Sequence, residues 1–195
     1  MKVICISGKA QHGKDTVAQE IKRQLEGRCE YPERVLITHY ADLVKYICEK
    51  FFQWNGEKDD YGRTLLQVVG TDIVRKQQPD YWVNFIVDVL KFFGKNGNKN
   101  GMFDYVLIPD CRFPNEIDRM KLEFDTISVR VVRYDDVELD KPFENSLTEE
   151  QRQHPSETSL DTYDFDSYIN NPGTKGGLEY AVSKWIKENL DNEQN

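Results

Sequence analysis

Several hallmarks of other protein classes are missing from this sequence of 195 residues. No apolar run approaches the roughly 20 residues of a membrane-spanning helix. The first apolar stretch has no basic segment or cleavage site before it, so we expect a protein that is neither membrane-bound nor exported. The net charge of −8 argues against binding to duplex nucleic acid, which needs a basic surface. A small anionic ligand in a local basic pocket remains compatible with that charge.

Sequence motifs of several kinds of metal, redox and catalytic site are missing as well. The four cysteines lie far apart without metal-site or redox spacing, so we expect reduced, mostly buried thiols in a cytoplasmic protein. His154 and Glu157 are too small a set for a metal site. No serine stands in a G-x-S-x-G elbow, which leaves a hydrolase triad unsupported. No N-K-x-D motif is present to recognise a base in the manner of a nucleotide switch protein.

The composition suits one α/β domain, because 38% hydrophobic and 31% charged residues in a chain of this length allow a sizeable core. Strands that alternate with helices indicate about five mostly parallel strands with helices on both faces, and ligands at the carboxyl ends of the strands. Short apolar runs predict strands at 3–6, 35–38, 105–108, 126–132 and 168–169. Helical spacing predicts helices from about 17, 41–54, 63–76, from 80 to 93, from 114 and 178–190.

The stretch from Lys2 to Ala18 combines a buried strand, a loop bounded by Gly8 and Gly13, a lysine and the start of a helix. These are the parts of a phosphate-binding loop. The glycines let successive backbone N–H groups point at a phosphate, the helix N-terminus adds partial positive charge, and Lys14 can bridge the β- and γ-phosphates. The predicted cofactor-binding residues are Gly8, Lys9, Ala10, His12, Gly13, Lys14, Asp15 and Thr16.

The magnesium ligand of this loop departs from the usual motif. The position after the lysine usually holds a hydroxyl that binds Mg²⁺, but here it holds Asp15, and Thr16 follows. Asp110 ends a buried apolar strand, where a nucleotide enzyme places a carboxylate that organises magnesium, although a strand-end aspartate is also a common cap. Asp15, Thr16 and Asp110 are therefore the candidate magnesium ligands.

Arginines supply candidates for a second anion site. Arg112 lies two residues beyond Asp110 and clamps an anion if its strand lies beside the strand that feeds the loop. Arg63 and Arg75 share a predicted helix but stand roughly 120° apart around its axis and more than three turns apart along it. They grip one phosphate only if the helix breaks, which Gly70 would allow. An amphipathic helix with a solvated face explains the same residues.

Two polar segments are predicted to lie outside the regular elements. Residues 135–161 show no sustained hydrophobic period and form a predicted lid-like excursion, and residues 94–101 form a predicted glycine-rich loop. The excursion carries Arg152, and arginines on flexible loops can close over a triphosphate and exclude water. A solvated polar loop is the alternative.

The combined pattern resembles the phage-type deoxynucleoside monophosphate kinases, a branch of the P-loop kinases. The likeness rests on GKAQHGKDT (8–16), YADLVK (40–45), RTLLQVVGTDIVR with PDYWV (63–83), IPDCRFPNE (108–116) and HPSE (154–157). An aspartate after the loop lysine is usual in this family, so Asp15 agrees with it. The GKxxxGKD stretch is also similar to animal-type phosphomevalonate kinases, which leaves the acceptor open.

The resemblance implies one P-loop kinase domain over residues 1–195, with acceptor-binding helices at about 40–93, acting as a monomer or homodimer. It implies transfer of the γ-phosphoryl group of ATP, with Mg²⁺, to a deoxynucleoside 5′-monophosphate. A kinase for another phosphorylated small molecule and a non-catalytic nucleotide-binding regulator are the alternatives. The expected catalytic residues are Lys14, Arg112, Arg152 and Asp110, with Arg133 as a further lid candidate. The expected acceptor-binding residues are Asp42, Lys45, Arg63, Gln67, Arg75, Trp82 and Arg112.

Overall fold

The computed structural model describes residues 1–57, 59–95, 101–136, 141–143 and 145–191. Residues 96–100 of the predicted glycine-rich loop, and 137–140 and 144 of the predicted excursion, lie outside the described residues. The strands are β1 (Lys2–Ser7), β2 (Val35–Ile37), β3 (Tyr105–Cys111), β4 (Asp125–Asp136), β5 (Lys141–Pro142) and β6 (Ser167–Asn171). The helices are α1 (Lys14–Glu26), α2 (Ala41–Phe51), α3 (Asp60–Gln67), α4 (Tyr81–Lys95), α5 (Pro114–Glu123), α6 (Glu149–Gln153), α7 (Pro155–Thr158) and α8 (Lys175–Ile186), with π-helical segments at Val68–Arg75 and Lys187–Asp191.

The sheet is parallel over five strands, in the order β2-β3-β1-β4-β6. The short strand β5 pairs antiparallel with the far end of β4. The predicted sheet of about five mostly parallel strands is therefore confirmed. Strand β1 lies in its centre, and its residues Val3–Ile6 are fully buried, as expected of a strand covered by helices on both faces. This position brings the end of β1 to the middle of the carboxyl edge, where ligands of such sheets bind.

Helices cover both faces of the sheet and give the predicted three layers. On one face, α1 and α8 pack their apolar residues, including Ile21, Leu25 and Trp185, against β1, β3 and β4. On the other face, α2, α4 and α5 bury Cys48, Leu90 and other apolar side chains. The phosphate-binding motif therefore belongs to one layer, and the predicted acceptor-binding helices belong to the opposite one.

The helix predicted at 63–76 is interrupted. Helix α3 ends at Gln67, and the chain continues as a π-helical segment over Val68–Arg75. Gly70 lies against α2, where a Cβ would meet Cγ1 of Val44 at an ordinary contact distance of 3.5 Å. Its carbonyl accepts a 2.8 Å hydrogen bond from Nε1 of Trp82. Wider π-helical turns rotate the following residues around the axis, so the angle expected from regular helical spacing does not apply to Arg75.

Other element bounds differ from the predictions in ways that have local causes. Strand β3 continues through Pro109 to Cys111 by a bulge, because Cys5 pairs with Ile108 while Ser7 pairs with Cys111. A bulge accommodates a proline that has no N–H to offer the ladder. Strand β4 runs on to Asp136, so the predicted excursion begins inside a strand, and the excursion contains the short helices α6 and α7.

Candidate active site

The loop between β1 and α1 requires glycine at both of its bounding positions. A Cβ on Gly8 would lie 2.6 Å from the carbonyl oxygen of Val131. Gly13 has φ of 86°, and a Cβ there would lie 2.6 Å from Nδ2 of Asn171. The loop leads into the first turn of α1, where backbone N–H groups have no partner within the helix. This arrangement suits the binding of an anion at the helix N-terminus.

Lys14 lies inside the loop. Its side chain is buried, and Nζ donates to the carbonyl oxygens of Gly8 at 2.8 Å and Lys9 at 2.9 Å. Burial, helped by the charge of Arg112, lowers the pKa of Lys14 to about 7. An anion in the loop would oppose both effects, because a negative charge favours the protonated amine.

A chain of charged groups extends from the loop across to α2. Nε2 of His39 lies 3.0 Å from Asp15 and Nδ1 lies 3.3 Å from Asp42, which also pairs with Lys45 at 3.0 Å. The hydrogen bonds to Asp15 and Asp42 raise the pKa of His39 to about 9. Sequence reasoning missed His39, because a lone histidine after a three-residue strand carries no spacing signal. Asp42 and Lys45 belong to this group of charges beside the loop and do not line the cavity of about 210 Å³ described below.

The β3 bulge turns Asp110 towards the start of α2. Its two carboxylate oxygens accept hydrogen bonds from the backbone N–H groups of Tyr40 at 3.0 Å and Ala41 at 2.9 Å. Burial raises the pKa of Asp110, and the two N–H groups partly offset that cost. Asp110 therefore caps the start of α2, and not the turn that follows its own strand, which was the alternative to a magnesium role.

A cavity of about 210 Å³ lies between α2, the π-helical segment and the start of α5. Of the predicted acceptor-binding residues, Gln67, Arg75, Trp82 and Arg112 line it, and so does Asp110. Arg63 is exposed and does not line it. The remaining lining residues are Tyr40, Ala41, Val44, Leu66, Gly70, Thr71, Phe113, Glu116 and Ser156.

Glu116 links two walls of this cavity, the π-helical segment and the start of α5. Its buried carboxylate pairs with Nη2 of Arg75 at 2.5 Å and accepts the backbone N–H groups of Arg112 at 2.7 Å and Phe113 at 3.0 Å. The guanidinium of Arg75 also lies 4.0 Å from the ring centroid of Phe113. Sequence reasoning missed Glu116, although a glutamate at the third position of a helix that begins with proline is the signal of a capping box.

Helix α7 joins the cavity to the phosphate-binding loop. Nη1 of Arg112 pairs with Oε1 of Glu157, and Oε2 of the same carboxylate accepts the backbone N–H of Ala10 at 3.0 Å. Nζ of Lys9 donates to the carbonyl oxygen of Glu157 at 2.6 Å and pairs with Asp161 at 2.5 Å. Glu157 therefore contacts both a loop residue and an arginine of the cavity.

The two lid arginines lie in different places. Arg152 donates to the backbone and side chain of Asn145 and is half-exposed; it does not line the cavity. Arg133 lies on the other side of the loop, 4.1 Å from the ring centroid of Phe143, and its backbone N–H donates to Nδ1 of His12 at 3.2 Å. Burial lowers the pKa of His12.

A second, open cavity of about 660 Å³ adjoins the loop on the side of Arg133. Gly13 and Thr16, from the loop and α1, form one wall. Asn171 at the end of β6 and Gly173 after that strand form the other. Asn171 donates to the carbonyl oxygen of His12 at 3.0 Å, which fixes this wall to the loop. The cavity reaches the phosphate-binding loop at Gly13.

Within the described ranges, no three His, Cys, Asp or Glu side chains are grouped so that they alone would hold a metal ion. No helix of the part of the chain that the structure describes is long and apolar enough to cross a membrane.

The parallel sheet, the glycine-bounded loop with Lys14 and the adjoining arginine-lined cavity are those of a P-loop kinase. A sequence profile of deoxynucleotide monophosphate kinases matches residues 34–182, which is more than half of the chain. The chain therefore belongs to the deoxynucleotide monophosphate kinase family, and the resemblance stated from the sequence is confirmed. It is a kinase of the nucleotide type.

The comparison with solved structures found other kinases, at low sequence identity and with TM-scores below 0.5. Shikimate kinase from Aquifex aeolicus is 15% identical, with a TM-score of 0.48 over 100% of this chain and 99% of that chain. The APS kinase CysC of Mycobacterium tuberculosis is 11% identical, with a TM-score of 0.46 over 100% of this chain and 97% of that chain. No curated protein matches the sequence.

Proposed function

We propose that this kinase transfers the γ-phosphoryl group of ATP to a deoxynucleoside 5′-monophosphate and releases the diphosphate. The position of Arg112 carries the proposal. This arginine lines the cavity of about 210 Å³ and shares the carboxylate of Glu157 with the loop N–H of Ala10. A phosphate on an acceptor in the cavity would therefore lie next to a phosphate held in the loop.

The acceptor chemistry requires no dedicated base. The second pKa of a phosphate monoester is about 6, so the attacking oxygen is largely ionised near neutral pH. The enzyme must bring two anions together and align them for in-line attack. Lys14 and the backbone of the loop would hold the donor phosphates, and Arg112 and Arg75 would hold the acceptor phosphate. Gln67 and Trp82, on the cavity wall, would contact its sugar or base.

The donor base would lie in the cavity of about 660 Å³, because that space is continuous with the loop and is bounded by Arg133 and the chain after β6. Arg152 would reach the phosphates only if helix α6 moved, since its guanidinium now binds Asn145. Arg63, Asp42 and Lys45 remain candidates for contacts at the rim of the acceptor site.

The residues near the loop fit magnesium. Mg²⁺ prefers oxygen ligands and is usually held by one or two carboxylates together with substrate phosphates and water. The Asp15 carboxylate, which pairs with Nε2 of His39, and the Thr16 hydroxyl are both exposed beside the loop, whereas both oxygens of Asp110 accept backbone N–H groups and lie in the cavity of about 210 Å³. We therefore place Asp15 and Thr16 ahead of Asp110 as ligands. When bound, the ion would neutralise charge on the phosphates.

Replacement of Lys14 tests the proposal. Lys14→Ala should abolish turnover, because it removes the cation that bridges the donor phosphates; the loss of one such stabilising group costs on the order of a hundredfold or more. Circular dichroism should show an intact fold. Lys184→Ala, on the exposed face of α8, is the matched control and should leave turnover unchanged. Near-normal activity of Lys14→Ala would contradict the assignment.

The acceptor is identified by ADP release from ATP across the deoxynucleoside monophosphates, the ribonucleoside monophosphates and phosphomevalonate. We expect release with one or more deoxynucleoside monophosphates. Release with phosphomevalonate alone would identify a kinase for a different phosphorylated acceptor. Tight ATP binding without transfer to any acceptor would instead indicate a nucleotide-binding regulator.

A further inference from the structure

The carboxylate of Glu157 occupies the junction between the two proposed substrate sites. One oxygen accepts the backbone N–H of Ala10 in the phosphate-binding loop, and the other pairs with the guanidinium of Arg112. The side chain is 9% exposed. Both donors belong to groups that would bind phosphates in the proposed reaction. The two carboxylate oxygens accept from a loop N–H and from an arginine, as the oxygens of a bound phosphate would.

The backbone around Glu157 is fixed independently of its carboxylate. Nζ of Lys9 donates to the carbonyl oxygen of Glu157 at 2.6 Å and pairs with Asp161, and Asp161 also pairs with Arg130 at 3.2 Å. These contacts hold the segment against the loop. The carboxylate can therefore leave its two donors by side-chain rotation while the segment stays in place.

A comparison with Glu116 shows why we expect a phosphate to displace the carboxylate of Glu157 and not that of Glu116. Glu116 is 1% exposed and binds two backbone N–H groups of its own helix turn together with Arg75. Two of its three partners are backbone groups next to it in the chain, and only Arg75 is a candidate for phosphate binding. The partners of Glu157, in contrast, lie on separate elements and are both candidates for phosphate binding.

We propose that Glu157 acts as an internal substitute for phosphate and that its displacement couples the binding of the donor to the binding of the acceptor. This inference rests on the proposed function. The first substrate must release either the N–H of Ala10 or the guanidinium of Arg112 from Glu157. Once the carboxylate has left, the second substrate finds its donor already free. Each substrate then raises the affinity for the other, and the two effects are equal by thermodynamic linkage.

Equilibrium binding of each substrate with and without the other tests this coupling. The donor probe is AMP-PNP with Mg²⁺, and the acceptor probes are the four deoxynucleoside monophosphates in turn. In the wild-type protein, the dissociation constant of each probe should fall roughly tenfold when the other is saturating. In Glu157→Ala and Glu157→Gln, each probe should bind more tightly alone, and the second probe should then change its affinity less than twofold.

Asp161→Asn is the matched control, because it also removes one negative charge beside the loop but contacts neither Ala10 nor Arg112. The hydrogen bond from Lys9 to the carbonyl oxygen of Glu157 still holds the segment in this variant. It should tighten anion binding through charge alone and keep the tenfold coupling. Thermal unfolding identifies any variant that fails to fold, and the near-isosteric Glu157→Gln guards against this outcome.

Three results would overturn the inference. If the two probes bind the wild-type protein independently, the proposed coupling does not exist. Weaker binding of AMP-PNP to both Glu157 variants shows that this carboxylate supports the donor site, as a magnesium ligand or positioning group would. Equal loss of coupling in Asp161→Asn assigns the effect to general electrostatics. Failure of both probes to bind the wild-type protein contradicts the proposed function itself.

Discussion

Arginines at a phosphate site bind well only if their guanidinium groups are held in place before the ligand arrives. Two carboxylates contact the arginines of the cavity, and only the carboxylate of Glu116 holds its arginine in this way. Glu116 fixes Arg75 and the backbone of Arg112 from inside the protein, and Glu157 contacts the Arg112 side chain at the loop. Burial raises the pKa of Glu116, while the charge of Arg75 opposes that shift. Desolvation therefore destabilises this buried ion pair, and its hydrogen bonds must offset that effect.

Substitution of Glu116 should affect the acceptor more than the donor. Glu116→Gln keeps the side-chain volume but leaves Arg75 without a charged partner, and a hydrogen bond to a charged group is worth about 1.5–3 kcal/mol. We expect the acceptor KM to rise about tenfold, with the KM for ATP unchanged. Asp118→Asn, on the same helix and bonded to Tyr163, is the control. Equal increases in both KM values would show a general structural effect instead.

At the scale of elements, the break after α3 shapes the acceptor cavity. The sequence indicated Gly70 as the place where a helix would break, but it did not indicate the π-helical form of the next eight residues. Helical periodicity reports which residues face the core, and a π-helical turn shifts that register without changing the residue types. The result brings Arg75 to the same cavity as Arg112 and leaves Arg63 in solvent.

Gly70→Ala should raise the free energy of unfolding and weaken the binding of the acceptor. The new Cβ would meet Val44 at 3.5 Å, an ordinary van der Waals distance, and alanine favours helical backbone over glycine by about 1 kcal/mol. Urea unfolding should therefore show a gain of about 0.5–1 kcal/mol. Because Gly70 and Val44 both line the cavity, the acceptor KM should rise severalfold.

Gly176→Ala in α8 is the matched control for Gly70→Ala. A Cβ at Gly176 meets nothing within 4 Å, and this helix lies on the opposite layer from the cavity. The control should gain similar stability without a change in KM. An unchanged acceptor KM in Gly70→Ala would show that the acceptor does not use this wall.

The sequence predicted elements better than contacts between elements. Apolar runs and helical spacing located the strands of the parallel sheet and the phosphate-binding loop, because those features depend on neighbouring residues. The roles of His39, Glu116 and Glu157 depend on partners far along the chain. These partners are Asp15 for His39, Arg75 for Glu116, and Ala10 and Arg112 for Glu157. Asp110 shows the same limit, since only the bulge in β3 and the start of α2 decide what its carboxylate binds.

At the scale of the whole molecule, the sheet separates two hydrophobic cores, and its edge strand β6 ends beside the cavity of about 660 Å³. Asp166 lies directly before β6 and links this strand to β4 and α5. It accepts the backbone N–H and hydroxyl of Ser128 at 2.7 Å each and pairs with Lys121. Although burial alone would raise its pKa, the hydrogen bonds from Lys121 and Ser128 lower the pKa of Asp166.

A lowered carboxyl pKa makes the stability of the fold depend on pH. The ionised form of Asp166 stabilises the folded state above the unfolded pKa of about 3.9, and this contribution is lost as the pH falls through the lower folded value. Asp166→Asn should therefore lose about 1–2 kcal/mol of unfolding free energy at pH 7, a modest figure because the side chain is 44% exposed. The difference from wild type should narrow below about pH 4. Urea unfolding at pH 7 and pH 3 measures both values, with the exposed Asp164→Asn as the control. A difference that stays constant between the two pH values would show that Asp166 acts through packing and not through its charge.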